Sequence, residues 1–324
     1  MSSPRLSASH RLSVDTLGRH LVLLPESVDQ LLLALPMLSD LKARYPARPL
    51  DIMAPAAMMG LIERLEGIER VWQLPSVQMS WKTFWRAGID LQSQGYQQAW
   101  VLPNQFKPAL IPALANIPER TGYRAAFRYA LLIDIRLART DLHPHFSDRY
   151  RALAWDIGEP LPTPRWPSWK PNSPAQQALI KKWGLDPQRP LVLLAPQQAG
   201  WTAATPQAEH LALLKKVQEE GAQLVCIASR HHRLAAETWQ AQLNHACLNL
   251  AGELSWLEVL DLTAMAQAVM ADDGPLALLA LALARPTLLL SQAPAPQSAA
   301  ALGAACWLGA DETKVWLSQV LAEV

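Results

Sequence analysis

Cysteine is scarce in this chain: Cys226, Cys247 and Cys306 are the only three in 324 residues. An odd, widely spaced set argues against a disulfide framework or a cysteine zinc cluster, and a reducing cytoplasm is the expected location. An excess of charge is also missing, since 29 lysines and arginines face 28 aspartates and glutamates. No net field therefore draws the molecule toward nucleic acid or an anionic membrane, and any anionic partner must be read by a local patch. Long hydrophobic runs are absent too. The most apolar stretch, Leu276 to Leu290, is broken by Arg285-Pro286 and falls short of the roughly 20 residues of a membrane span. It reads as a buried helix followed by a buried strand. The first nineteen residues lack the apolar centre of a secretion signal and read as a loose leader.

What is present is ample core. Half of the residues are hydrophobic, and this length suggests about two domains. Strand-like runs at Leu21 to Pro25, Leu50 to Pro55, Val71 to Pro75 and Gln98 to Pro103 alternate with helical patterns at Val28 to Arg44, Ala57 to Leu65, Lys82 to Gln94 and Pro108 to Ala115. Such alternation predicts a parallel sheet covered by helices. Six prolines crowd Glu159 to Pro174, a stiff stretch unsuited to a sheet, and the interdomain linker is placed at 161–174. A second set follows, with strands at Leu191 to Ala195, Gln223 to Ala228, Ala268 to Ala271 and Thr287 to Ser291, and helices near Gln207 to Glu220, Ser255 to Ala266 and Pro275 to Ala284. The expected division is 20–160 and 175–324, with ligand in the cleft at the carboxyl ends of the strands.

Several segments go beyond pattern: Leu-Lys-Ala-Arg-Tyr-Pro46, Val101-Leu-Pro-Asn-Gln-Phe-Lys107, Ile117-Pro-Glu-Arg-Thr-Gly-Tyr-Arg124, Arg128-Tyr-Ala-Leu-Leu-Ile-Asp-Ile-Arg136 and Leu248-Asn-Leu-Ala-Gly-Glu253. In order and spacing they resemble the heptosyltransferase II branch of glycosyltransferase family nine, over nearly the whole chain after residue 20. The resemblance implies a GT-B fold, two Rossmann-like α/β domains facing across a cleft. It implies an amino-terminal domain holding a lipid-linked lipopolysaccharide core acceptor and a carboxyl-terminal domain holding ADP-heptose. Transfer in that family is inverting and needs neither metal nor cofactor. A carboxylate takes the acceptor proton while donors steady the departing diphosphate. A lipid-linked acceptor also implies peripheral contact with the inner face of the inner membrane.

The family's site maps unevenly onto these residues. Its catalytic aspartate opens the first helix after a glycine, and here Asp29 falls on the glycine and Gln30 on the aspartate. Glutamine takes no proton, and helix neighbours point about 100° apart, so Asp29 serves as a displaced base only if the backbone shifts by one residue. Ser27-Val-Asp-Gln30 also reads as a capping box with Ser27 as the cap. Both readings stand. The donor-phosphate loop, Pro196 to Pro206, has no cation, which leaves Thr202 and Thr205 as hydrogen-bond donors, or a plain polar loop with Thr205 as a cap. Ala271-Asp-Asp-Gly-Pro275 matches the family's Asp-Ser-Gly turn, with Asp272, Asp273 and Gly274 as donor-sugar candidates, or a glycine turn opening an apolar helix. On the acceptor side Asn104, Lys107, Arg120, Thr121, Tyr123, Arg124 and Arg128 remain, types that grip carboxylates and phosphates. The alternative is that they are exposed cations pairing with Asp134 or Glu119. His143-Pro-His145 and His231-His232 lack ligands at metal spacing and read as loop histidines. Eroded donor residues beside retained acceptor residues leave two functions open: a heptosyltransferase, or a relative that binds acceptor or a partner without transferring sugar.

Overall fold

A computed structural model describes residues 18–125, 127–195, 208–272, 274–289 and 306–307, with the side chains of 208, 209, 306 and 307 excepted. The first half runs β1 (Arg19–Leu23), α1 (Val28–Arg44), β2 (Leu50–Pro55), α2 (Met59–Glu63), β3 (Val71–Leu74), α3 (Trp81–Asp90), β4 (Tyr96–Val101), α4 (Phe106–Leu114), β5 (Glu119–Tyr123), β6 (Asp134–Arg136) and α5 (Phe146–Ala152). The second runs α6 (Ser173–Trp183), β7 (Leu191–Ala195), α7 (Ala208–Glu219), β8 (Gln223–Cys226), α8 (Arg233–Gln242), β9 (Cys247–Asn249), α9 (Trp256–Met265), β10 (Ala268–Ala271), α10 (Pro275–Ala282), β11 (Thr287–Leu289) and β12 (Cys306–Trp307).

Each half builds one parallel sheet, in the orders β3-β2-β1-β4-β5-β6 and β12-β11-β10-β7-β8-β9. Counted from its own first strand, the second sheet repeats the order of the first. The sequence cause is the continuous apolar character of the central strands: Leu21, Val22 and Leu23 in β1 and Val192, Leu193 and Leu194 in β7 are wholly buried, as strands covered on both faces must be. Each sheet reverses direction beside its first strand, between β1 and β4 and between β7 and β10. A ligand crevice forms at that reversal, beyond the strands' carboxyl ends.

The halves share core. The Leu/Ala helix α10 has six consecutive buried residues, Leu276 to Leu281, and packs against α1 of the first half. Arg64, just past α2, pairs with the buried Asp261 of α9 at 3.0 Å. The chain changes sides between α5, which packs on α1, and α6, which packs on α9. The proline-rich segment between them is partly paired: Leu65 and Trp169 form an antiparallel bridge, with Glu66 N donating to Ser168 O at 2.9 Å and Lys170 N to Arg64 O at 2.6 Å. Ser168 to Lys170 contain no proline, so Lys170 keeps the amide that the bridge needs. Trp166 and Trp169 lean on the shared core.

Two expectations need correction. Arg19 is no leader residue: it opens β1 and pairs with the fully buried Asp51 at 2.7 Å and with Glu69 at 2.9 Å. The capping box is not made either. Ser27 holds the N-cap position of α1 with an extended backbone, but its side chain makes no cap hydrogen bond.

Candidate functional site

The two reversal points meet across a cavity of about 410 Å³. The first half contributes Val28 and Asp29 from the start of α1; the second contributes Ile227, Ala228, Ser229 and Arg230 after β8, Gly252 and Leu254 after β9, Trp256 and Val259 of α9, and Pro275 and Leu276 of α10. Asp29 therefore faces the second half from an exposed position in the first helical turn, where the helix dipole favours a negative charge. Gln30 is also exposed but does not line this cavity. Asp29 thus lines the interdomain cavity where Gln30 does not, beside a Ser27 whose side chain makes no cap bond.

Arg230 is the functional candidate that sequence reasoning missed. It is exposed and brings a cation to a cavity whose expected phosphate loop has none. The signal lay in Leu248-Asn-Leu-Ala-Gly-Glu253. There Gly252 adopts φ +80°, and an added Cβ would lie 3.1 Å from Arg230 Cα. Gly252 N donates to Ala228 O at 2.9 Å, so this glycine lets the loop after β9 close on the loop after β8. The neighbouring His232 accepts or donates at Ser229 Oγ, 2.8 Å from its Nδ1, and among the described residues no cluster of three or more histidines, cysteines and carboxylates is placed to hold a metal.

Gly274 and Pro275 sit at the N-cap and first turn of α10, with Gly274 extended, and Asp272 just before them is buried. Thr202, Thr205 and Asp273 lie outside the described residues.

Among the described residues the acceptor-side candidates separate into those bound to backbone carbonyls and one exposed cation. Arg128 is fully buried. It donates to Tyr123 O at 2.9 Å, to Val101 O at 3.4 Å, to Pro103 O and to Asn104 Oδ1 at 3.2 Å. Burial pushes its guanidinium down to about 10, which still leaves it charged at neutral pH. Arg120 donates to Leu131 O at 2.6 Å and to Ile117 O, and burial lowers it as well. Thr121 is buried in β5, and Tyr123 gives its hydroxyl to Arg149 O at 2.5 Å, its pKa raised by burial to about 12. Lys107 Nζ donates to Val77 O at 2.6 Å and Met79 O at 2.8 Å and lies 5.2 Å over the Trp81 ring. These cations brace the loops after β3, β4 and β5. Among the described residues no ion pair joins these cations to Glu119 or to Asp134, which pairs with Arg136 at 2.7 Å. Only Arg124 among the four candidate cations is exposed.

The sequence model of "Glycosyltransferase family 9 (heptosyltransferase)" matches residues 84–306.

This chain belongs to glycosyltransferase family 9.

Within that family it is 34% identical over 285 residues to the lipopolysaccharide heptosyltransferase 2 of Salmonella typhimurium, covering 83% of this chain and 81% of the relative. Its fold matches the solved ADP-heptose lps heptosyltransferase II of Escherichia coli with a TM-score of 0.79 at 28% identity, over 94% of this chain and 99% of that one. A family 9 glycosyl transferase from Veillonella parvula matches at a TM-score of 0.80 and 10% identity, over 95% and 98% of the two chains. The last shows the GT-B fold alone.

Proposed function

We propose that this family 9 protein transfers heptose from ADP-heptose to a lipid-linked lipopolysaccharide core acceptor. The observation that carries the reading is the placement of Asp29 on the cavity where the carboxyl ends of both sheets meet. Asp29 accepts the proton of the acceptor hydroxyl as its oxygen bonds to the anomeric carbon of the heptose. The bond from that carbon to the diphosphate oxygen breaks, and ADP departs with the electron pair. Arg230, on the same cavity, steadies the growing charge. Thr202, Thr205, Asp272, Asp273 and Gly274 complete the donor side. On the acceptor side Arg124 contacts the anionic acceptor, while Lys107, Arg120 and Arg128 hold the loops that shape its site, with Asn104, Thr121 and Tyr123 among them.

No helix among the described residues is long and apolar enough to cross a membrane. A lipid-linked acceptor then implies that the protein works in the cytoplasm and touches the inner membrane from its surface. A second reading, an acceptor-binding relative without turnover, is favoured by one fact: Pro196 to Pro206 contains neither lysine nor arginine. Calorimetric titration with ADP-heptose, with ADP as control, separates the two. Binding in the micromolar range supports transfer, because Arg230 then replaces the missing loop cation. Absence of binding for both ligands at millimolar concentration leaves the non-transferring relative.

A further inference from the structure

The outer face of α3 carries a side-chain pattern that the transfer reaction does not use. Trp81 and Trp85 are 56% and 54% exposed, Met79 just before the helix is 42% exposed, and Ile89 lies at 36% on the same face. Lys82 and Arg86 stand exposed beside them, and Asp90 closes the helix. Residues 81, 85 and 89 recur every fourth position and form one stripe about 12 Å long. The adjoining face, about 80° round the helix at 100° per residue, is packed: Phe84 is fully buried, and a Cβ at Gly88 would come within 2.6 Å of Leu114 Cβ and 3.0 Å of Ile111 O of α4. Trp81 is held at its inner edge by the Phe106 ring, 5.9 Å away, and by Lys107, yet more than half of it remains in solvent. Large aromatic side chains kept outward on a rigid helix, with cations beside them, suit a bilayer interface: tryptophan favours the headgroup level, and lysine and arginine meet anionic lipid.

We propose that this face of α3 docks the protein on an anionic bilayer, resting on the reading that the acceptor is lipid-linked. Its position serves that purpose. α3 follows β3 at the carboxyl edge of the first sheet, and Glu26 Oε1 accepts from Val77 N at 2.8 Å, which ties the turn before α1 to the loop before α3. The membrane-facing stripe is thus joined directly to the segment that bears Asp29.

The test is sedimentation of the full chain with mixed vesicles of phosphatidylethanolamine and phosphatidylglycerol, and with phosphatidylcholine vesicles. The protein is expected on the anionic vesicles and not on the neutral ones. Trp85→Ser combined with Arg86→Glu, and separately Lys82→Glu with Ile89→Lys, should each lower the bound fraction at least about tenfold while the circular dichroism spectrum stays that of the unaltered chain. Transfer to a deacylated, water-soluble acceptor should be unchanged in both variants; loss of that transfer in the unaltered chain would defeat the reading of the acceptor and leave vesicle binding to be judged by itself. Unaltered sedimentation of both variants, or equal binding to neutral vesicles, overturns the proposal. So does a concentration-dependent dimer abolished by Trp85→Ser without vesicle binding, which would give the face to a second copy of the chain.

Discussion

Replacing Arg128 by methionine separates two accounts of the acceptor half. If Arg128 gripped an acceptor anion, its loss would weaken acceptor binding and leave the fold intact. The structure places it instead beneath the loops after β4 and β5, donating to the carbonyls of Val101, Pro103 and Tyr123 and to Asn104. Methionine fills much of the same space but donates nothing. Three carbonyls losing a partner at about 1 kcal/mol each gives about 3 kcal/mol. Relief of the buried charge offsets a part of that, so the expected net loss is about 2–3 kcal/mol. For a unit of this size that is a fall of roughly 4–12 °C in Tm, read by calorimetry or near-UV circular dichroism. Arg128→Lys should fare no better, because an ammonium cannot span the fork that the guanidinium fills. An Arg128→Met protein with unchanged Tm and a much higher acceptor KM would refute this reasoning.

The buried pair of Arg151 and Asp40, 2.8 Å apart, makes Arg151→Ala costly by about 3–5 kcal/mol, since Asp40 stays buried with its charge uncompensated; urea unfolding measures this, and Asp40→Asn with Arg151→Met together should recover most of the loss. His20 is buried against Tyr45 and Trp100, with Arg48 Nη1 3.0 Å from its Nε2, and burial first, then the Arg48 and Lys42 charges, lower its pKa from 6.5 to about 4. Between those values the unfolded chain binds the extra proton, so stability falls as pH drops from about 6.5 to 4, by up to about 3 kcal/mol, and His20→Gln should flatten that part of a urea-unfolding pH profile. Arg230→Ala should weaken ADP binding by about 10- to 150-fold, the worth of one charge-assisted hydrogen bond. Gly252→Ala should weaken it through displacement of the Arg230 loop, and equal titration curves for the three proteins would remove Arg230 from the donor site.

The central strands and their helices were readable from their apolar runs: Leu191–Ala195 and Ala268–Ala271 are apolar without interruption, Leu50–Pro55 is so but for Asp51, Val28–Arg44 carries a long apolar centre, and all four stand at their expected limits. The short strands β5, β6 and β9 were not, since Glu119–Tyr123 and Asp134–Arg136 carry charge and tertiary pairing alone makes them strands. Site residues were legible as types and not as roles. Nothing in the linear pattern distinguishes an arginine that faces solvent, as Arg124 does, from one spent on backbone carbonyls, as Arg128 is. The capping-box pattern named the correct cap position, yet Ser27 leaves the bond unmade, whereas Ser255 makes the full box with Glu258 at α9. Arg230 escaped notice because its importance depends on which loop closes over it, and that is set by Gly252 far along the chain.

The measurement that tests the central claim most directly is the single-turnover rate of heptose transfer from ADP-heptose to the core acceptor for the unaltered protein, Asp29→Asn and Gln30→Ala. Loss of a general base lowers a rate by about 10²- to 10⁴-fold. Asp29→Asn should show that loss with no more than a small change in Tm, while Gln30→Ala stays close to the unaltered rate. Transfer that persists in Asp29→Asn and disappears in Gln30→Ala would contradict the account.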